Sequence, residues 1–342
     1  MSKVYVGMSG GVDSSLTAAL LVEAGHDVTG VYMKNWTQDM PGMRCPWADD
    51  LADAKRVAVR LGIDFKVFDF EKEYRQKVVD YMIAEYEAGR TPNPDIMCNQ
   101  EIKFKLFLDT ALADGAEFVA TGHYAKTSDG KLLKAVDANK DQTYFLYRVT
   151  EAALRKTLFP LGGYTKPEVR RMAAERGLTT AAKKDSVGIC FVGQIGMREF
   201  LSQYVATEPG DIVDKQTGKI VGRHDGAIFY TLGQRHGLDI GGGLPYYVVG
   251  KDMASSTVFV SRDLNDESLW RQSLTLSDLH GINGPLSDGR YQVRIRHRAS
   301  LTDVSLKGDQ LTFVHAERAA TPGQSVVLYD GDVCVGGGII AA

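Results

Sequence analysis

A glycine–serine loop between a short apolar strand and a helix constrains this chain more than any other feature. Ser9-Gly10-Gly11-Val12-Asp13-Ser14-Ser15 follows the strand-like run Lys3 to Val6 and opens a helical segment, Ser14 to Ala24, with Leu16, Ala19 and Leu20 on one face. Two glycines let the backbone turn tightly and bring its N–H groups close to a ligand. The helix N-terminus adds positive potential, and three serine hydroxyls add donors. Such a loop cradles phosphate. It lacks the lysine of a G-x-x-x-x-G-K-[ST] loop and is not the G-x-G-x-x-G dinucleotide turn. A serine-capped turn with no ligand is the plain alternative. Its position argues against that, because doubly wound sheets bind ligands there.

The next segments alternate as βαβ. Asp27 to Met33 reads as a strand, Trp47 to Leu61 as a helix and Phe65 to Phe70 as a strand. Helices follow at Lys72 to Glu87 and Glu101 to Ala113, then the strand Phe118 to Thr121. Strands separated by helices need crossover connections, which predicts an α/β fold with a mostly parallel, Rossmann-like sheet. Beyond residue 195 the runs Ala227 to Thr231, Tyr246 to Val249, Thr257 to Val260, Tyr291 to Arg296 and Ser325 to Leu328 read as strands between Gly, Asp and Asn turns. We divide the chain into 1–195, a small mixed central domain at 196–265, and an all-β domain at 266–342. The length of 342 residues agrees, giving two to three domains at about 150 residues each.

Composition narrows the class. No apolar run approaches the roughly 18 to 20 residues of a spanning helix, so no membrane partner is expected. The N-terminal residues do not read as a signal peptide. Four cysteines in so long a chain point to a reducing, cytoplasmic setting. Their spacing contains no C-x₂₋₄-C pair, so no zinc or other metal site is expected. Forty Lys and Arg against 43 Asp and Glu give a net charge of −3, which excludes a diffuse polyanion-binding surface but not a local one.

Two cysteines stand in suggestive surroundings. Asn93-Pro94-Asp95-Ile96-Met97-Cys98-Asn99 lies between two helices, with Asn99 and Glu101 placed to start the second. At a helix N-terminus Cys98 would have its thiolate stabilised, and Asp95 could exchange a proton at the same site. Read alone, Cys98 is more often a small buried apolar residue. Cys190 follows Lys183, Lys184 and Gly188 in a cationic, flexible setting, yet Ile189 and Phe191 also suit a core position.

The glycine–serine loop resembles that of the ATP pyrophosphatases (the PP-loop superfamily), which cleave ATP between its α and β phosphates to activate a carbonyl oxygen with AMP. The resemblance implies Gly7, Met8, Ser9, Gly10, Gly11, Val12, Asp13 and Ser14 on the phosphates, with Met33 and Gly122 near the adenosine. The motifs Asn93-Pro94-Asp95-x-x-Cys98-Asn99, Gly122-His123-Tyr124, Lys140-Asp141-Gln142 and Asp185-Ser186-x-Gly188-Ile189-Cys190-Phe191 resemble the bacterial tRNA-specific 2-thiouridylases. So do Thr231-Leu232-Gly233-Gln234-Arg235, Thr321-Pro322-Gly323-Gln324-Ser325 and Gly336-Gly337-Gly338-Ile339-Ile340. The likeness runs in order along essentially the whole chain.

The resemblance implies a C-terminal β-barrel and the adenylation, by ATP accompanied by Mg²⁺, of the wobble uridine O2 in tRNA of the Lys, Glu and Gln type. Cys190 would carry a persulfide supplied by a cysteine desulfurase or relay protein. Cys98 would attack that persulfide or join the displacement, forming a transient Cys98–Cys190 disulfide. Asn93, Pro94 and Asp95 would face the target base, with Asp95 as general acid or base. His123, Lys140, Asp141, Gln142, Arg296, His297 and Gln324 would contact tRNA, although the family usually has Tyr where His297 stands. Cys45 and Cys334 are assigned no chemistry.

Arg290 to Arg298 carries four arginines and a histidine without an acid. Strand alternation predicts Arg290, Arg294, Arg296 and Arg298 on one face, a stripe able to meet several phosphates. Two other readings remain open at this level. An amidating ligase of the same superfamily would need neither cysteine pair nor stripe. A non-catalytic, nucleotide-gated tRNA binder would need the loop and the stripe but not the cysteines.

Overall fold

The computed structural model describes residues 1–39, 45–184, 196–241 and 243–341. Its first layer is a five-stranded parallel sheet built from β1 (Lys3–Gly7), β2 (Asp27–Lys34), β3 (Asp64–Asp69), β4 (Phe118–Ala120) and a two-residue strand, Thr157–Leu158, in the order β3-β2-β1-β4 with the short strand last. Alternation along β1 sends side chains to two separate cores. Val4 and Val6 join α1 (Val12–Glu23) and α2 (Trp47–Leu61) on one face. Tyr5 joins the helical runs α3 (71–87) and α4 (94–113) on the other. Both faces are covered, as a parallel sheet requires, while the edge strand β3, with Asp64, Lys66 and Asp69, stays partly exposed.

Strand order sets the place of the site. The chain lays β2 and β3 to one side of β1, then returns to lay β4 on the other. That reversal opens a crevice at the carboxyl ends of β1 and β4, where such sheets bind ligands. The glycine–serine loop leaves β1 directly into it.

A small sheet of Gly210–Asp214, Ile220–His224, Tyr247–Asp252 and Thr257–Ser261 forms the central part of the chain, around Ile212, Val248, Val258 and Val260. The expected strand Ala227 to Thr231 is instead a 3₁₀ turn, Ala227–Phe229. Its apolar residues are anchored in the core through one turn, a pattern that strand periodicity mimics over so short a run.

Six antiparallel strands then close into a barrel: Trp270–Gly281, Gly289–Arg294, Thr302–Lys307, Gln310–Arg318, Ser325–Asp330 and Val333–Ile340. The first and last pair with each other and seal it. Glycine is required along that seam. A Cβ on Gly336 would lie 2.1 Å from the His280 carbonyl oxygen, and one on Gly337 2.2 Å from that of Val326. A hairpin of the first domain, Lys126–Ser128 with Lys131–Leu133, adds to the barrel's last strand through Leu132 opposite Cys334. The domains are thus joined by main-chain pairing as well as by packing.

Candidate active site

The loop after β1 is held by its own serines. Ser9 N–H donates to Ser14 Oγ at 3.2 Å, Ser14 Oγ donates to the Gly11 carbonyl at 3.2 Å, and Ser15 Oγ donates to the same carbonyl at 2.7 Å. Gly10 has φ +72°, and a Cβ there would stand 2.3 Å from the Asp50 carbonyl oxygen. Met8 and Val12 are buried in the core, so any ligand contact from Met8 is through its backbone. The flanking segments close on the same place. A Cβ on Gly7 would meet Met33 Cε at 3.0 Å, and one on Gly122 would meet the Asp13–Ser14 peptide at 2.8 Å. Gly10→Ala is therefore expected to lose nucleotide affinity measured by calorimetry. The left-handed backbone alone costs about 1–2 kcal/mol, and the clash with Asp50 adds to it.

Two lysines that sequence reasoning did not assign brace this loop. Lys166 Nζ donates to both Asp13 carboxylate oxygens at 2.7 and 2.8 Å, and Tyr124 OH donates to Asp13 Oδ1 at 2.9 Å. Lys183 Nζ reaches Asp50 at 2.8 Å and Asp53 at 2.6 Å. Burial disfavours the Lys183 ammonium, but hydrogen bonds to the two carboxylates outweigh it and hold its pKa above the ordinary lysine value. A signal for Lys166 does exist in the sequence. Thr165 and Glu168 form a capping box, which puts a buried cation in the first helical turn, where the dipole disfavours it.

Asn93 precedes one continuous helical run rather than a loop. Pro94–Met97 is α, Cys98–Leu106 is π, and Phe107–Ala113 is α again. The expected helix start at Glu101 is seven residues late, because Pro94 is pre-organised for the first turn and the motif's polar residues read as loop. Cys98 consequently lies beyond the first turn, where the N-terminal potential has fallen off. Asp95, Cys98, Asn99 and Ile102 share one helix face. Cys98 is 4% exposed and Asp95 is half-buried. Burial lifts the Asp95 carboxyl above the usual carboxylate range, with Lys103 opposing. The π segment beginning at Cys98 is of the kind that frequently marks functional sites.

This helix starts where three parts of the chain meet. Gln324 Nε2 donates to the Thr91 carbonyl at 2.6 Å, Thr91 N–H donates to the Pro322 carbonyl at 3.1 Å, and the Thr91 and Thr231 hydroxyls lie 3.2 Å apart. Asn99 Nδ2 donates to the Phe145 carbonyl at 3.0 Å, and the Phe145 ring packs on His297 at 4.6 Å between centroids. Further along, Phe107 packs beneath Gly7 and Phe104 against His123. One helix therefore runs from the domain seam to the underside of the glycine–serine loop.

The expected basic stripe does not form. The strand ends at Arg294, and Arg298 has φ +64°, so alternation stops before Arg296. Arg290 is exposed, whereas Arg294 is buried and pairs with Asp141 at 2.6 Å. Arg296 is exposed, and Arg298 Nε donates to the Asn139 carbonyl at 3.0 Å. Asp141 is buried and also accepts from Thr143 Oγ1 at 3.0 Å, which corrects its expected place on an RNA-facing surface. A buried arginine needs a carboxylate, and a single strand's sequence cannot reveal one supplied 153 residues away.

Gln142 accepts from Tyr124 N–H at 2.9 Å, and Lys140 is half-buried beside it in sequence. His123 is buried between Phe104 and Phe159 with its Nδ1 2.7 Å from Thr121 Oγ1. Burial, then Lys103, keeps its imidazole pKa well below the ordinary value. Burial, then Arg298, also lowers that of His297. Cys45 and Cys334 are buried thiols whose pKa values burial raises, which suits structural roles. Cys190 and its motif, like residues 40–44, lie outside the described residues. Among the described residues no cluster of three His, Cys, Asp or Glu side chains is placed to hold a metal, and no helix is long and apolar enough to cross a membrane.

Comparison with known proteins covers the whole chain. The family described as tRNA methyl transferase HUP domain matches residues 2–194, the tRNA methyl transferase PRC-barrel domain 198–262, and the aminomethyltransferase beta-barrel domain 271–340. A protein of Listeria welshimeri named tRNA-specific 2-thiouridylase MnmA is 47% identical, covering 99% of this chain and 94% of its own. One of the same name from Enterococcus faecalis is 47% identical over 99% and 95%. Among solved structures, a 4-thiouridine synthetase–RNA complex with bound ATP aligns over 59% of this chain and 50% of that one, at 19% identity and a TM-score of 0.39.

Proposed function

Because this chain belongs to the tRNA-specific 2-thiouridylase family, we propose that it is an ATP-dependent tRNA-uridine 2-sulfurtransferase acting on the wobble uridine. The observation that carries the reading is the shared helix. It bears Asp95 and Cys98 at the domain seam and packs under the phosphate loop with Phe107. Nucleotide activation and sulfur chemistry thereby belong to one crevice.

In this reading Gly7 to Ser14 hold the ATP phosphates, with Met33 and Gly122 beside the adenosine. Mg²⁺ would arrive on the phosphates, since the acid nearest the loop, Asp13, is engaged by Lys166. The uracil O2 attacks the α phosphate and expels pyrophosphate, turning a poor leaving group into a good one. The terminal sulfur of a persulfide on Cys190 then replaces that oxygen, and AMP departs. Cys98 accepts the remaining sulfur bond as a Cys98–Cys190 disulfide, which a reductant reopens, or first frees hydrosulfide from the persulfide. Asp95, whose carboxyl burial lifts above the usual carboxylate range, handles the proton, with Asn93 and Pro94 against the base. A flipped base needs a clamped RNA backbone. Lys140, Arg296, His297 and Gln324 contribute to it, while His123, Asp141 and Gln142 act from inside the fold. The protein works in the cytoplasm on tRNA of the Lys, Glu and Gln type, with sulfur from a cysteine desulfurase or relay protein.

Nucleoside mass spectrometry of tRNA incubated with the protein, ATP and a persulfide donor tests this directly. Sulfur in place of oxygen on the wobble uridine, dependent on ATP, is the expected product. A methyl gain, or no change in tRNA with a small carboxylate amidated instead, would overturn it.

A further inference from the structure

Arg318 closes the fourth barrel strand at the seam with the central sheet. It is paired with Trp270 across the ladder, and its guanidinium lies over the Tyr247 ring at 4.9 Å from the centroid. The side-on edge of that guanidinium is unused. Nε and Nη2, the two nitrogens that together grip a carboxylate or phosphate, are both withdrawn from water and have no hydrogen-bond partner among the described residues. Buried charged donors are rarely left in this state, and each such group calls for an explanation.

The surroundings are cationic. Arg296, itself exposed, donates Nη2 to the Arg318 carbonyl at 3.4 Å. The one carboxylate in these contacts, Glu317, stands 3.9 Å from Arg296 and accepts from Thr302 Oγ1 at 3.2 Å and from the Arg318 N–H at 3.3 Å. Two guanidiniums against one carboxylate leave a net positive spot. The chain on either side of it leads to the candidate site, since Gly233 lies two residues after Thr231, whose hydroxyl meets that of Thr91. The Cβ of Ala319 is 2.6 Å from a Cβ built on Gly233, and Gln324, a few residues on, holds Thr91 just ahead of Asn93.

We propose that the Nε–Nη2 edge of Arg318 binds a backbone phosphate of the substrate tRNA, next to the nucleotide presented to Asp95 and Cys98. The assignment rests on the tRNA reading above. Docking includes a swing of the side chain off the Tyr247 ring, because the edge is covered in the RNA-free protein. The reward is bidentate geometry that lysine cannot supply.

Binding of an unmodified tRNA transcript is measured by fluorescence anisotropy across a range of salt concentrations, with thermal melting of each variant alongside. Arg318→Gln is expected to weaken binding about tenfold and to make the log–log salt slope shallower by about one. Arg318→Lys is expected to keep the slope and still lose several-fold in affinity. An unchanged slope in folded Arg318→Gln overturns the proposal. If that variant does not fold, parental affinity in Arg318→Lys overturns it instead. Failure of the parental protein to bind tRNA would overturn the functional reading itself, a different outcome.

Discussion

Cys98→Ala is expected to reduce 2-thiouridine formation by about 10³-fold or more, the scale of removing a group that breaks or makes a bond, while tRNA and ATP affinities stay near parental. The expectation follows from placement. Cys98 is buried on the same helix face as Asp95, and the helix reaches the phosphate loop through Phe107 rather than through the thiol. Truncating so small a side chain costs about 1 kcal/mol of stability, too little to unfold a chain of this size. Cys45→Ala is the matched control, being equally buried but donating to the Trp36 carbonyl at 3.6 Å, and full activity is expected of it. Thiolation by Cys98→Ala at the parental rate, with a persulfide donor, would refute the cysteine mechanism.

Arg294→Ala is expected to destabilise the fold by about 3–5 kcal/mol, read as a shift of the urea midpoint. It strands the Asp141 carboxylate, which is buried and loses its charged partner. The double replacement Arg294→Met with Asp141→Asn should recover most of that loss, since both charges leave together while the amide oxygen still accepts from Thr143. In the same variant the salt slope of tRNA binding should be unchanged, because Arg294 does not face solvent. A single Arg294→Ala variant of parental stability with a shallower slope would restore the arginine to the RNA surface.

The contrast between these two residues shows what kinds of information the chain exposes. The Lys3 to Gly7 strand, the loop and the α1 and α2 helices were legible because periodicity and turn chemistry are local. Gly7 meets Met33, and Gly122 meets the Asp13–Ser14 peptide, because these residues lie at or just past the ends of neighbouring strands of one sheet. The helix at 94 was read too late because Asn-Pro-Asp satisfies both a loop and a capped helix start. The arginine stripe failed for a non-local reason: the strand ends one residue past Val293, and Asp141 waits in another domain. Lys166 and the barrel-extending hairpin were missed for the same cause.

By itself, then, the sequence determined the phosphate-cradling loop, the parallel sheet beneath it, the Asp95–Cys98 spacing and the family likeness. All of these depend on residues close together along the chain or on fixed motifs. Tertiary structure alone decided which charges are surface and which are pairs within the fold, that Cys98 sits inside a helix, and that Gln324 and Thr231 meet at Thr91. The physical reason is that a buried charge is costly without a partner, and the partners of Arg294, Lys166 and Lys183 come from elements more than a hundred residues away.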